Sequence, residues 1–76
     1  MKLKVGLLGG GSWGTTVASL TSKNSDTIIW ARDAETVKEI NEENSNKKYL
    51  PNAKLHKGLK ASNCIQETIE GADVIV

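Results

Sequence analysis

The chain has 76 residues, 38% of them apolar and 25% charged, with a formal net charge of +1; these are the proportions of an ordinary globular protein and exclude a disordered or fibrous one. Acidic and basic residues interleave, and the nearest thing to a basic tract, Lys47-Lys48, reads as loop surface, so nothing points to nucleic acid or an anionic membrane. A chain of this length is about half the usual domain size and buries only about 60% of the surface it exposes when unfolded.

Met1-Lys2-Leu3-Lys4-Val5 opens with charge like a signal peptide, but glycines break the apolar run at once. No stretch approaches the ~20 apolar residues of a membrane span, and a cytoplasmic protein is the expectation. Leu3 to Leu8 is a short apolar run closed by three glycines, the pattern of a buried strand. From Ser12 the period changes: Trp13, Val17 and Leu20, with Ala18 beside them, form a helical stripe, and Ser12 is its expected N-cap. Lys23 to Asp26 makes a turn, and Thr27 to Ala31, rich in β-branched and aromatic residues, reads as a second strand with Trp30 in the core.

Asp33 is a candidate cap for a second helix, with Glu35 in its first turn and Val37 and Ile40 on its apolar side. That helix runs out in the polar stretch Asn41 to Lys48. Tyr49-Leu50-Pro51-Asn52 is a turn, Lys54 to Lys60 is irregular, and Leu59 to Ser62 is a short strand. His56, the single histidine, reads as a loop residue. Cys64, the single cysteine, has no disulfide or metal partner at any recognisable spacing and reads as a half-buried thiol in a reducing compartment. Gln66 to Glu70 is a short helix stopped by Gly71, and Ala72 to Val76 a last strand. Strands alternating with helices make an α/β chain of order β-α-β-α-β-α-β, a parallel sheet with right-handed crossovers. Because the sequence stops within an apolar strand, residues 1–76 are expected to be part of a longer protein.

Gly9-Gly10-Gly11-Ser12-Trp13-Gly14 fits G-x-G-x-x-G, and it lies between a predicted strand and a predicted helix, the context that gives the pattern its meaning. Gly9 permits the tight turn, Gly11 lets backbone approach a pyrophosphate, and Gly14 lets helix pack on strand, as in the doubly wound Rossmann fold. The helix start then offers its N–H groups to the anion, with a dipole contribution of roughly 0.3–1 kcal/mol. The spacing is close to a Walker A loop, but Thr15 stands where that loop needs its phosphate-binding lysine, which argues against a nucleoside triphosphatase. Asp33 lies 19 residues after Gly14, where an acidic residue holds a ribose 2′-hydroxyl, and Arg32 beside it suits a 2′-phosphate. Asp33 therefore has two readings, ribose ligand or helix cap. Trp13 also has two, core or site.

Gly9 to Ala18 (Gly-Gly-Gly-Ser-Trp-Gly-Thr-Thr-Val-Ala) and Trp30-Ala31-Arg32-Asp33 resemble the bacterial-type NAD(P)-dependent glycerol-3-phosphate dehydrogenases. Ile40-Asn41-Glu42, Asn46-Lys47-Lys48-Tyr49-Leu50-Pro51 and Gly71 to Val76 are similar to further segments of that family. Gly10 stands where alanine is often found, a difference expected to be harmless. The resemblance implies the N-terminal part of an NAD- or NADP-binding Rossmann domain. It also implies hydride transfer between NAD(P)H and dihydroxyacetone phosphate to give glycerol 3-phosphate for phospholipid synthesis, and a full-length homodimer with a helical C-terminal domain. By motif, Ser12, Trp13, Arg32 and Tyr49 become cofactor contacts, Tyr49 with loop packing as its alternative. The family's catalytic lysines and phosphate-binding substrate residues fall beyond position 76, so no catalytic residue and no metal ligand is assigned. The competing readings are a different Rossmann dehydrogenase and a non-catalytic dinucleotide-binding module.

Overall fold

The structure is a computed structural model that describes residues 3–9 and 11–76. The opening Met1-Lys2 and the alanine-to-glycine difference at Gly10 lie outside the described residues. Along the described chain the elements are β1 (Lys4–Leu8), α1 (Ser12–Thr21), β2 (Asp26–Trp30), α2 (Ala34–Glu43), β3 (Lys60–Ser62), α3 (Ile65–Ile69) and β4 (Val74–Ile75). The strands form one sheet in the order β3-β2-β1-β4, and each neighbouring pair is parallel. The strand order reverses at β1, whose Gly6 stands opposite Ile28 on one side and Ile75 on the other. In open α/β sheets the crevice beyond the strand ends at such a reversal is where ligands bind.

Both faces of the sheet are covered, which explains why β1 is a nearly continuous apolar run rather than an alternating one. Val5 and Leu7 of β1 and Ile29 of β2 pack with Ala18 of α1, Ile40 of α2, and Leu55, Leu59 and Ala61. Ile29 and Ile40 are completely buried, each contributing about 1.5–3 kcal/mol of transfer free energy. Gly6 points to the opposite face, because successive strand residues alternate. There α3 lies so close that a Cβ on Gly6 would come 2.7 Å from the Thr68 carbonyl oxygen. Helices α1 and α2 thus cover one face and α3 the other, the doubly wound arrangement expected from the sequence.

The rotation of α1 differs from its apolar stripe. Trp13 and Leu20 are 71% and 57% exposed, whereas Thr15 and Ala18 are the buried residues of the helix. The cause is the close approach of α1 to the end of β1, which turns the small side chains toward the sheet and leaves the large ones outside. Ser12 is the first helical residue rather than the cap; the N-cap is Gly11, in extended conformation and with no side-chain hydrogen bond. Asp33 does cap α2, its Oδ1 accepting from the Glu35 N–H at 2.9 Å. Cys64 is exposed rather than half-buried, as the N-cap of a short helix at the surface. Trp30 is half-buried rather than core, with its indole N–H donating to the Asn63 carbonyl at 2.9 Å.

Candidate functional site

The strand-to-helix corner is built from bare backbone. Gly9 follows β1 with φ 158°, a conformation side chains resist. A Cβ on Gly14 would lie 2.5 Å from the Gly9 carbonyl oxygen, so α1 could not seat on the corner with any larger residue there. Gly11 is different: a Cβ there meets no described protein atom within 4 Å. The space over Gly11 is open, and packing does not account for the glycine.

The two longer helices treat their N-termini oppositely. Helix α2 begins with a carboxylate cap and carries Glu35 in its first turn. Helix α1 has neither a side-chain cap nor an acidic residue in its first turn. Its leading N–H groups have no intrahelical acceptor, as in any helix, and no acidic side chain of its own neutralises the positive end of its dipole.

Two clefts meet at Gly11. The first, about 290 Å³, is lined by Gly11, Trp30, Ala31, Arg32, Asp33, Thr36, Lys48 and Tyr49. The second, about 200 Å³, lies between the ends of β1 and β4 and the start of α1; Gly9, Gly11, Trp13, Gly14 and Val76 are among its walls. Of the residues anticipated from the sequence, Gly11, Arg32, Asp33 and Tyr49 meet in the first cleft, and Gly9, Gly11, Trp13 and Gly14 in the second. Ser12 lines neither and sits exposed at the mouth of α1.

The loop after α2 is a built structure. Glu39 accepts from the Ser45 hydroxyl at 2.7 Å and from the Lys47 N–H at 2.9 Å. Those two bonds hold its carboxyl below the ordinary value of 4.5, the Ser45 hydroxyl having the larger effect. The Asn46 carbonyl accepts from the N–H groups of Tyr49 and Leu50, closing a tight turn. The Asn46 side chain is fully buried and donates to the Thr15 hydroxyl at 3.1 Å, tying the loop to α1. This turn carries Lys48 into the first cleft, with its ammonium 5.5 Å from the Tyr49 ring centre.

Lys48 and Trp30 line the first cleft, and Asn46 ties down the loop that carries Lys48; the sequence reading placed none of them there. Lys48 is exposed on the loop, as expected, and also lines the first cleft, whereas its neighbour Lys47 pairs with Glu43 at 3.5 Å. No local pattern distinguishes the two lysines; only the turn geometry does.

A family model described as the N-terminus of NAD-dependent glycerol-3-phosphate dehydrogenase matches residues 4–76. A protein of Sphingopyxis alaskensis named glycerol-3-phosphate dehydrogenase [NAD(P)+] 2 is 57% identical over 76 residues, all of this chain and 23% of its own length. A glycerol-3-phosphate dehydrogenase [NAD(P)+] of Acinetobacter baumannii is 44% identical over 75 residues, 97% of this chain and 21% of its own. Among solved structures, the glycerol-3-phosphate dehydrogenase of Coxiella burnetii superposes with a TM-score of 0.82 at 35% identity, covering 97% of this chain and 23% of that one. The Plasmodium falciparum enzyme superposes with a TM-score of 0.86 at 26% identity, over 97% and 24%. The chain spans less than a quarter of the length of each of these relatives. With the corner, the strand order and these likenesses together, the chain belongs to the family of NAD-dependent glycerol-3-phosphate dehydrogenase N-terminal segments.

Proposed function

We propose that this chain is the first part of a dinucleotide-binding domain, holding NADP(H) or NAD(H) across Gly11 with the two halves of the ligand in the two clefts. The observation that carries this reading is the position of Gly11, shared by both clefts, bare, and at the uncapped start of α1. A diphosphate is the part of a dinucleotide that needs such a place. The residues fit the group: backbone amides face an anion, Trp30 and Tyr49 offer ring surface beside an adenosine, and Arg32 or Asp33 meets the ribose edge.

The full-length protein is then an NAD(P)-dependent glycerol-3-phosphate dehydrogenase, exchanging hydride with dihydroxyacetone phosphate. When bound, the nicotinamide supplies the hydride. This chain's residues would bind and orient the cofactor: Trp13, exposed at the second cleft, would border the bound nucleotide, and Ser12 and Trp13 would offer backbone N–H groups to its diphosphate. Catalytic residues belong to the part of the protein beyond position 76. The homodimer rests on the family resemblance; no helix among the described residues is long and apolar enough to cross a membrane.

The test is Gly11→Val in the full-length protein, with NADPH and NADH binding measured by calorimetry. Because a Cβ at position 11 meets no described protein atom within 4 Å, the thermal midpoint is expected to stay near wild type while affinity for both nucleotides falls more than about tenfold. Unchanged affinity would falsify the assignment. A second titration addresses the ribose edge: NADPH binds at least as well as NADH, through Arg32. A strong NADH preference that survives Arg32→Ala overturns that part.

A further inference from the structure

We propose that Lys48 is the second cation of a two-sided grip on the ribose 2′-phosphate of NADP(H), and so a determinant of cofactor choice. The proposal rests on the reading that Arg32 faces that phosphate. Arg32 and Lys48 come from different segments, the end of β2 and the turn after α2, and converge on one cleft that has bare Gly11 among its walls. Among the described residues neither forms an ion pair, and the one ion pair present uses the adjacent Lys47 instead.

Charge favours a phosphate over a plain hydroxyl. Asp33, the carboxylate in the same cleft, is engaged as the cap of α2, with Oδ1 accepting from the Glu35 N–H. One capped carboxylate is thus set against two cations. A ribose hydroxyl needs one acceptor and gains nothing from two positive groups, whereas a phosphate carrying nearly two negative charges gains from each.

The lysine is also held there. Its turn is closed by the Asn46 carbonyl, anchored at Lys47 by Glu39, and bonded through the buried Asn46 side chain to Thr15, the residue after Gly14. The ammonium lies 5.5 Å from the Tyr49 ring centre, a cation–ring distance that restricts the side chain without consuming its N–H donors. A cleft wall fixed in this way presents its charge with less ordering cost than a free surface lysine.

The experiment compares wild type, Lys48→Met, Lys48→Arg and Arg32→Met in the full-length protein. Calorimetry reads the affinity for NADPH, NADH, 2′,5′-ADP and 5′-AMP, with thermal midpoints as the check on folding. Lys48→Met is expected to weaken NADPH and 2′,5′-ADP about tenfold, to leave NADH and 5′-AMP within about twofold, and to be rescued by Lys48→Arg. An equal loss for all four ligands, or no loss for any, overturns the proposal. If Arg32→Met abolishes the preference for 2′,5′-ADP over 5′-AMP while Lys48→Met preserves it, the Lys48 proposal fails and the Arg32 reading stands. If wild type shows no such preference, both fall.

Discussion

A methyl group on Gly14 would sit 2.5 Å from the Gly9 carbonyl oxygen, a Cβ fixed to the helix backbone against a backbone atom of the corner. Neither can give way without lifting α1 from the corner. Gly14→Ala is therefore expected to destabilise by about 1–3 kcal/mol, the usual cost of overpacking a rigid contact. Gly11→Ala, three residues earlier, meets no described atom within 4 Å and is expected to leave the thermal midpoint unchanged. Thermal denaturation of the pair in the full-length protein separates the roles: one glycine serves the fold, the other leaves room for a ligand. Equal midpoints for the two variants would show that the corner is not seated as described. The motif made these positions visible from sequence, because G-x-G-x-x-G carries its geometry in the spacing itself. Gly6 was invisible by the same route: it lies inside a strand, and only the closeness of the Thr68 carbonyl explains it.

Among the elements, the order and type of all seven were legible, because β1 and β2 are apolar or β-branched runs and the helices between them start and stop at recognisable residues. The face of α1 was not. Its buried residues, Thr15 and Ala18, are small and partly polar, so a hydrophobic pattern gives them little weight beside Trp13 and Leu20. The turn after α2 was equally opaque, since its shape comes from Glu39, six and eight residues away from the groups it binds. That anchor predicts a pH dependence. The folded-state pKa of Glu39 is depressed, so its stabilising contribution is fully present above the unfolded value near 4.5 and is lost as pH falls through the lower folded value. Glu39→Gln removes this contribution at neutral pH. Its thermal midpoint is expected to lie below wild type at pH 7 and to converge on it as the pH is lowered beneath 4.5. A constant gap across that range would mean that the carboxylate charge is not what holds the turn.

At the scale of the whole molecule, the distribution of apolar surface is uneven. The core lies under α1 and α2 with Ile29, Ile40 and Leu59 almost wholly enclosed, while Val74, Ile75 and Val76 at β4 and Ile65 at the start of α3 are exposed. Among the described residues β4 pairs only with β1, so its other edge offers unpaired backbone groups beside apolar side chains. An edge of that kind recruits another strand. Residues 1–76 produced alone are therefore expected to be marginally stable, to bind a hydrophobic dye, and to self-associate as concentration rises into the micromolar range, the range in which exposed strand edges aggregate. Ile75→Lys places a charge on that edge and is expected to shift the sedimentation profile toward monomer. Ile75 lines neither cleft, so nucleotide affinity should follow the monomer fraction rather than the substitution itself. A segment that stays monomeric and dye-free at high concentration would show that β4 tolerates its exposure. Association undiminished by Ile75→Lys would move the sticky surface elsewhere, with exposed Trp13 and Leu20 on the outer side of α1 the next place to put a charge.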